Sequence, residues 1–205
     1  MGKTGIMGGT FDPIHCAHLC MARCAMEQKG LDRVFFMPSK IPPHKVGKGV
    51  SDEGLRAHLV NLAIEKENGF YYSDFELKRD GTTYTAKTLQ LLKKQYPEEA
   101  FYFIMGGDSL FQFEQWYQPE EIVKCAVILA VSRGNADAGQ MERQAEFLAQ
   151  KFQGRVELIQ MEKMEISSSL IRERIAKGEA VQQMLPQKVY EYIMRNHCYK
   201  KEYTG

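Results

Sequence analysis

The alternation of short apolar runs with amphipathic helical segments is the feature that most constrains the fold of this chain. The apolar runs are short enough to be strands, and they occupy residues 5–8, 34–37, 71–73, 101–105, 126–131 and 156–159. Segments with apolar residues three and four positions apart separate them, at 17–28, from about 52, and at 85–95, 141–152, 168–177 and 186–194. This order predicts an α/β fold with a doubly wound parallel sheet, a single domain over 1–205 with C-terminal helices from about residue 168 packed on it.

Charge and composition argue against several classes of protein. Lysine and arginine together number 27 against 26 aspartate and glutamate residues, and a net charge of +1 is unlike the large basic excess of a nucleic-acid binder. Residues 1–10 contain no apolar signal region, and no stretch approaches the roughly 18 apolar residues of a membrane helix. We therefore expect a soluble, cytoplasmic protein that binds neither nucleic acid nor membrane, and homo-oligomerisation stays open.

The first predicted strand is followed by the run GGTFDPIHCAH, residues 8–18. Ligands of doubly wound sheets bind beyond the carboxyl ends of the strands, so this segment is a candidate site. Gly8 and Gly9 allow a ligand to approach the backbone closely. The next helix presents its positive end to the same space, with His15 and His18 on one side of its first turn. The motif predicts a phosphate-binding site.

Other interpretations of this segment stay open at this point. Each histidine could be a half-buried packing residue, or the pair could belong to a metal site, although no third ligand has an obvious spacing. The dinucleotide fingerprint G-x-G-x-x-G is absent, which disfavours a dehydrogenase. Cys16, Cys20 and Cys24 recur every four residues without C-x-x-C spacing, so we expect a stripe of small packing residues and not a metal site.

A second motif, ISSSLIR at 166–172, opens a predicted helix near the other end of the chain. Ser167 and Ser168 supply hydroxyl groups where the helix has free N–H groups. Arg172 stands one turn further on, where a guanidinium group can bind a phosphate with two nitrogens. The alternative is that the serines only cap the helix. If the motif binds phosphate, it must meet the first motif in space.

The segment after the second predicted strand is cationic. Lys40, His44 and Lys45 lie in a loop that Pro42 and Pro43 stiffen. Such a loop can meet a second anionic substrate. The alternative is an exposed, solvated loop.

The strand at 101–105 ends at Gly106-Gly107-Asp108, and an aromatic pair follows shortly after it. The carboxylate of Asp108 can accept hydrogen bonds from ribose hydroxyls or hold magnesium through water. Trp116 and Tyr117 can stack on a flat base or ring. Packing in the core is the alternative for Trp116.

Together these motifs resemble a known family of adenylyltransferases. GGTFDPIHCAH is similar to the (H/T)xGH signature region and ISSSLIR to the ISSTxIR signature. With MPSKIPPHK, residues 81–85, GGD and WY, the resemblance is to bacterial nicotinate-nucleotide adenylyltransferases and runs from Gly5 to about Met194. It implies a Rossmann-like nucleotidyltransferase fold. It also implies transfer of AMP from ATP, with Mg²⁺, to nicotinate mononucleotide, giving deamido-NAD and pyrophosphate.

The resemblance also implies roles for individual residues. The catalytic group comprises His15 and His18 at the ATP phosphates together with Arg172. The ATP-binding group comprises Gly8, Gly9 and Thr10 beside the α-phosphate, Gly106 and Asp108 at the adenosine side, and Ser167 and Ser168 near the β- and γ-phosphates. The acceptor-binding group comprises Lys40, His44 and Lys45 at its phosphate and Thr85, Trp116 and Tyr117 at its ring. No metal ligand is expected from the protein itself.

Two positions depart from the family signatures, and two other functions stay open. Ala17 stands where the first signature has glycine, and Ser169 replaces threonine while keeping the hydroxyl. We expect activity despite Ala17, because alanine fits a helical first turn. The alternatives are adenylyl transfer to another phosphate acceptor, such as nicotinamide mononucleotide or phosphopantetheine, and a non-catalytic module that binds ATP or NAD.

Overall fold

The centre of the molecule is a sheet of six parallel strands. In the computed structural model, which describes residues 2–40, 49–132 and 138–200, the strands are β1 Lys3–Gly9, β2 Arg33–Pro38, β3 Phe70–Tyr72, β4 Ala100–Gly106, β5 Ala126–Ser132 and β6 Val156–Gln160. Their order across the sheet is β3-β2-β1-β4-β5-β6. The chain crosses between the two halves of the sheet after β3, so β1 and β4 form the central pair. Ligands of such sheets bind at the carboxyl end of this pair.

Helices lie between the strands and after the last strand, and local sequence signals fix the ends of some of them. They are α1 Cys16–Lys29, α2 Glu53–Ile64, α3 Thr85–Gln95, α4 Gly107–Gln112, α5 Pro119–Cys125, α6 Ala138–Phe152, α7 Ser168–Ala176 and α8 Gln187–Arg195. Gly30 ends α1 in the left-handed conformation, with φ of 60°, which glycine adopts without strain. Asp52 caps α2, because its carboxylate accepts the backbone N–H groups of Gly54 and Leu55.

Each face of the sheet has its own apolar core. Ile6 and Met7 are neighbours on β1, and they pack into different cores because strand side chains alternate between faces. The core on the Met7 side takes residues from four helices: Ala22 of α1, Leu59 of α2, Ile171 of α7 and Val189 of α8. The core on the Ile6 side takes them from the other four: Leu89 of α3, Leu110 of α4, Ile122 of α5 and Leu148 of α6. The predicted doubly wound α/β architecture is therefore confirmed.

The predicted strands and helices lie close to their expected positions, but two helices were not predicted. Helices α4 and α5 have six and seven residues. They are too short to show the repeated apolar spacing that marks a longer helix. Pro186 precedes α8 as its cap and is not its first residue. After α8 the chain stays packed as far as Tyr199, whose hydroxyl donates a hydrogen bond to Asp12.

Strand β6 forms one edge of the sheet, and the side chain of Gln28 covers its end. The Gln28 amide nitrogen donates to the carbonyl oxygen of Gln160 at 2.7 Å, and the Gln160 N–H donates to the Gln28 amide oxygen at 3.0 Å. This pair of bonds imitates the pairing of one more strand residue. Among the described residues, no helix has the length and apolar character needed to cross a membrane.

Candidate active site

Three strands end side by side at one edge of the sheet. Strands β1, β2 and β4 run parallel and end at Gly9, Pro38 and Gly106. The residue after β2, Ser39, donates its backbone N–H to the Gly9 carbonyl at 2.9 Å, which joins the first two of these ends. The motifs at 8–18, 38–45 and 106–108 therefore start from the same edge, as the strand order requires.

A cavity of about 560 Å³ opens at this edge. Six of the predicted site residues line it: Gly8, Gly9, Thr10, Thr85, Trp116 and Tyr117. Residues that were not predicted also line it, among them Ser39, Glu76, Thr83, Ser109 and Gln112. The volume lies within the range of roughly 300–1,000 Å³ that is usual for small-molecule sites.

Aromatic rings form one wall of the cavity. Trp116 packs edge-on against Phe103, with ring centroids 6.0 Å apart, and also contacts Phe113. Tyr117 is 42% exposed, and its ring lies 4.4 Å from that of Tyr84. Trp116 thus belongs both to the core and to the cavity, whereas Tyr117 stands at the entrance and can adjust to a ligand.

A buried carboxyl group also lines the cavity. Glu76 is only 7% exposed, and its Oε1 atom accepts the hydroxyl of Thr88 at 2.7 Å. Arg79 in turn donates to that hydroxyl oxygen at 2.8 Å. Burial raises the pKa of Glu76, while the hydroxyls of Thr88 and Thr83 and the charge of Arg79 act in the opposite direction. These contacts tie the segment before α3 to the helix itself.

Side chains from distant parts of the chain donate hydrogen bonds to the backbone carbonyl groups of the turn after β1. Arg56 Nη1 donates to the carbonyl of Thr10 at 2.7 Å, and Arg172 Nη1 donates to that of Asp12 at 2.5 Å. The hydroxyl of Ser168 donates to the carbonyl of Pro13 at 2.9 Å. Three carbonyl groups of the turn at residues 10–13 therefore point to protein donors. The first motif and the ISSSLIR motif are in direct contact, as a shared phosphate site requires.

The two histidines stand at the start of α1, as the sequence predicted. His15 is the cap residue, and the ring of His18 stacks on it with centroids 3.6 Å apart. The His15 backbone N–H donates to Nδ1 of His18 at 3.3 Å. Because Nδ1 accepts this bond, the proton of a neutral His18 ring is on Nε2, which makes Nε2 a hydrogen-bond donor.

The helix that carries Arg172 and Ser168 begins at the same place. Ser167 caps α7, and its hydroxyl oxygen accepts the backbone N–H of Leu170 at 3.2 Å. The capping role proposed as an alternative for this serine is therefore present, and it leaves the Ser167 hydroxyl hydrogen able to reach a ligand. The positive ends of α1 and α7 lie close to the same turn.

The remaining predicted residues lie outside the cavity lining. Gly106 ends β4, and Asp108 is exposed in the first turn of α4. The ammonium group of Lys40 lies 3.4 Å from the carboxylate of Asp80. His44 and Lys45 fall outside the described residues. Ala17 is fully buried, so its methyl group packs against protein and does not project into open space.

Sequence reasoning missed Arg56, Asp12 and Tyr199. Arg56 is 1% exposed, and its guanidinium also donates to the backbone carbonyl of Ser51 at 3.1 Å. Burial lowers the pKa of Arg56, and the carboxylate of Asp12 opposes that change. A signal was present, because Arg56 precedes Leu59 and Val60 by three and four positions and so shares the apolar face of α2.

The cysteine stripe of α1 packs as expected. Cys16, Cys20 and Cys24 are half-buried, and the last two contact the core. Burial raises the pKa of the Cys16 thiol. Burial and the neighbouring Cys20 raise the pKa of the Cys24 thiol to about 11, so the protonated form is favoured at both positions. Within the described parts of the chain, no group of three His, Cys, Asp or Glu side chains is arranged to hold a metal ion.

Comparison with known proteins gives consistent matches over most of the chain. Residues 6–174 match the cytidylyltransferase-like family. A probable nicotinate-nucleotide adenylyltransferase of Lachnoclostridium phytofermentans is 43% identical over 199 residues, which cover 97% of this chain and 100% of that protein. One of Carboxydothermus hydrogenoformans is 39% identical, with 97% and 98% covered.

Solved structures share the fold. The Plasmodium falciparum nicotinic acid mononucleotide adenylyltransferase complexed with NaAD superposes with a TM-score of 0.79 at 21% identity, covering 97% of this chain and 98% of that one. The same enzyme complexed with APC gives a TM-score of 0.78 at 21% identity with the same coverage. The arrangement of strands and helices described above is therefore the fold of these solved structures.

Proposed function

Since this chain belongs to the cytidylyltransferase-like family, and within it to the nicotinate-nucleotide adenylyltransferases, we propose that it transfers the adenylyl group of ATP to nicotinate mononucleotide. The products are deamido-NAD and pyrophosphate. One observation carries the proposal most directly: Arg172 and Ser168 contact the turn at residues 10–13, next to a cavity large enough for a mononucleotide. Relatives with 43% and 39% identity over nearly the whole chain support the choice of acceptor.

The triphosphate of ATP is proposed to bind between the positive ends of α1 and α7. Gly8, Gly9 and Thr10 line the cavity beside this point, so their backbone can approach the α-phosphate. His18 offers its Nε2–H group as a donor. Arg172 is only partly exposed and uses one nitrogen for the Asp12 carbonyl, which leaves its other N–H groups for the β- and γ-phosphates.

The adenosine is proposed to extend toward the end of β4. Asp108 lies in the first turn of α4 with its carboxylate exposed, so it can accept hydrogen bonds from ribose hydroxyls. Gly106 precedes that helix in an extended conformation and, lacking a side chain, leaves room for a flat base.

The nicotinate mononucleotide is proposed to occupy the cavity. Its ring can stack on Trp116 and Tyr117, and Thr85 begins α3, where free backbone N–H groups can bind the nicotinate carboxylate. A site that donates N–H groups to a carboxylate favours the acid over its amide. Lys40, and by the sequence prediction His44 and Lys45, supply positive charge for the acceptor phosphate.

The chemistry is proposed to be a direct in-line displacement. An oxygen of the acceptor phosphate forms a bond to the α-phosphorus of ATP, and the bond from that phosphorus to the bridging oxygen of the β-phosphate breaks. Pyrophosphate leaves with the electron pair of the broken bond. The attacking phosphate is already anionic, so no general base is required. Rate enhancement then depends on positioning two polyanions and stabilising charge, where each donor contributes about 10²–10³ in rate.

Magnesium is proposed to enter with ATP as part of the substrate. Mg²⁺ keeps several waters and is usually held by substrate phosphates with one or two carboxylates. This fits a site in which the described residues form no group of three protein ligands, and Asp108 offers an exposed carboxylate at the end of β4. The metal offsets negative charge on the phosphates. We further propose that the reaction takes place in the cytoplasm, where ATP with magnesium is available.

A pyrophosphate-release assay tests the function. The purified chain is incubated with ATP and Mg²⁺ together with nicotinate mononucleotide, nicotinamide mononucleotide or phosphopantetheine in parallel reactions. We expect release with the acid acceptor and at least about tenfold less with the amide, since a lost carboxylate leaves buried donors unpaired. Chromatography should identify the product as deamido-NAD.

The controls separate the alternatives. Omission of the acceptor reports hydrolysis of ATP, and omission of Mg²⁺ reports the metal requirement. Preference for another acceptor would contradict the assignment of the substrate. Tight ATP binding without pyrophosphate release from any acceptor would instead support a non-catalytic nucleotide-binding module.

A further inference from the structure

The carboxylate of Asp12 is a buried junction of three segments that are far apart in the sequence. The residue is 2% exposed and lies at the centre of the turn that holds the first motif. Its Oδ2 atom accepts the backbone N–H of Ser51 at 3.2 Å, just before α2. Arg172 Nη1, which binds the Asp12 carbonyl, lies 3.9 Å from the same carboxylate oxygen. A buried carboxylate is stable only when its oxygens have partners such as these.

The third segment follows α8 and brings Tyr199 to the junction. The Tyr199 hydroxyl donates to Oδ1 of Asp12 at 2.9 Å, across 187 positions of the chain. The backbone of His197 and of Tyr199 is left-handed, with φ of 53° and 65°. Two such residues are uncommon outside glycine, so tertiary contacts hold this segment in a defined path. Tyr199 also packs against the core on the Met7 side of the sheet.

The Tyr199 hydroxyl is a fixed donor. Burial and the neighbouring Asp12 carboxylate raise its pKa far above the ordinary value of 10.0, so the hydroxyl stays protonated at any physiological pH. With Tyr199 on Oδ1 and Ser51 on Oδ2, each oxygen of the Asp12 carboxylate has one donor. The orientation of that carboxylate therefore depends on both bonds.

We propose that Tyr199 is a positioning residue for the reaction, which acts through Asp12 on the turn that binds the ATP phosphates. Its bond fixes the Asp12 side chain, and the Asp12 backbone carbonyl is in turn the partner of Arg172. Loss of the hydroxyl lets the carboxylate rotate toward the guanidinium of Arg172 and draws that group away from the phosphates. The inference rests on the proposed function, since it assigns the turn to the ATP site.

The substitution Tyr199→Phe tests the role, because it removes one oxygen and keeps the ring. We expect kcat/KM for ATP to fall about tenfold while KM for the acceptor changes by less than about twofold. The matched control is Tyr71→Phe, which removes the same atom from a tyrosine that is 53% exposed on β3 and should leave both constants unchanged. Thermal unfolding of all variants is measured alongside.

A double-mutant cycle with Asp12→Asn shows whether Tyr199 acts through Asp12. We expect kcat/KM for ATP to agree within about twofold between Asp12→Asn and the double variant. If Tyr199 acts only through the Asp12 carboxylate, its removal has no further effect once that carboxylate is gone. Multiplicative losses would overturn the proposal. So would a Tyr199→Phe variant with a lower melting temperature and unchanged ATP kinetics, or one with equal losses for both substrates.

The same variants separate this proposal from the proposed function. If the wild-type chain releases no pyrophosphate with any acceptor, the function fails while the affinity for ATP with Mg²⁺ can still be measured by calorimetry. The positioning role then predicts about tenfold weaker ATP binding in Tyr199→Phe than in Tyr71→Phe. Equal affinities would overturn it.

Discussion

The Nη1 atom of Arg172 lies 2.5 Å from the backbone carbonyl oxygen of Asp12, although 160 positions of sequence separate the two residues. This bond joins the start of α7 to the turn after β1. The bond fixes the position of the guanidinium group, and its remaining nitrogens can bind a ligand.

Replacement of Arg172 should reduce activity with a clear order of variants. We expect Arg172→Ala to lower kcat/KM for ATP by about 10²-fold, because both the turn contact and the proposed phosphate donor are lost. Arg172→Lys should recover only a small part of the lost kcat/KM, since an ammonium group has one nitrogen and cannot bind the carbonyl and a phosphate with separate nitrogens. Arg174→Ala on the same helix is the control and should match wild type in a steady-state assay. Wild-type kinetics in Arg172→Ala would contradict the role.

His18 should be required for turnover and not for folding. We expect His18→Ala to lower kcat by at least about 10²-fold with an unchanged circular-dichroism melting curve. His18→Gln should retain more activity than His18→Asn, because a glutamine amide reaches the position of Nε2–H and an asparagine amide does not. His197→Asn tolerates the left-handed backbone at that position and serves as the control. Near-normal turnover of His18→Ala would remove the histidine from the mechanism.

The two aromatic residues of the cavity should respond differently to truncation. Tyr117→Ala should raise KM for the acceptor about tenfold and leave the melting temperature unchanged, because the ring is 42% exposed. Trp116→Ala should raise the same KM and also lower the melting temperature, since its ring packs on Phe103 and Phe113. Phe111→Ala, an exposed ring on α4, is the control. If either variant raised KM for ATP as much as KM for the acceptor, the two rings would not be a specific binding site for the ring of the acceptor.

Glu76 should make stability depend on pH in a defined direction. Burial raises its pKa in the folded chain above the ordinary value of 4.5. The folded state therefore holds this proton to a higher pH than the unfolded state does, and the contribution of Glu76 to stability falls as the pH rises above 4.5 toward the raised pKa. In Glu76→Gln that contribution is absent, so the melting temperature of the variant relative to wild type should rise with pH over this interval. Melting curves of wild type and Glu76→Gln, recorded from pH 4.5 upward, measure this difference in melting temperature. A difference that falls as the pH rises would contradict a raised pKa for Glu76.

A methyl group at Gly8 should affect ligand binding and not folding. A Cβ atom added there would meet the ring of Phe103 at 3.5 Å, an ordinary contact, so Gly8→Ala should fold normally. Gly8 lines the cavity, and the methyl group would occupy space beside the ligand. We expect kcat/KM to fall by at least about tenfold. Gly49→Ala, where a Cβ atom has open space, is the control for a glycine change without a ligand nearby. An active Gly8→Ala variant would show that no ligand approaches this backbone.

The sequence predicted the sheet, most helices and the meeting of two distant motifs, because apolar periodicity and strand ends carry that information. The alternatives weighed for Trp116 and Ser167 are not exclusive in the structure. Trp116 packs in the core and lines the cavity, and Ser167 caps α7 at the edge of the site. Residue type alone cannot show that one side chain takes part in the fold and also lies at the site.

The residues that were missed owe their positions to tertiary contacts. Glu76 has no neighbouring motif, and only the fold of the segment before α3 turns it into the cavity. Tyr199 lies within reach of Asp12 because α8 packs against α2, where the rings of His58 and Tyr192 lie 4.5 Å apart. Both positions depend on parts of the chain that no local sequence pattern relates to each other.

The pairing of Gln28 with Gln160 bears on how copies of this chain can associate. An unpaired edge strand is a template on which another chain can extend the sheet. At β6 the final backbone groups are already occupied by an amide side chain, and at the opposite edge β3 offers only three residues. Neither border provides a long ladder for growth, so self-assembly through strand addition is discouraged and any oligomer is expected to form through its helical surfaces.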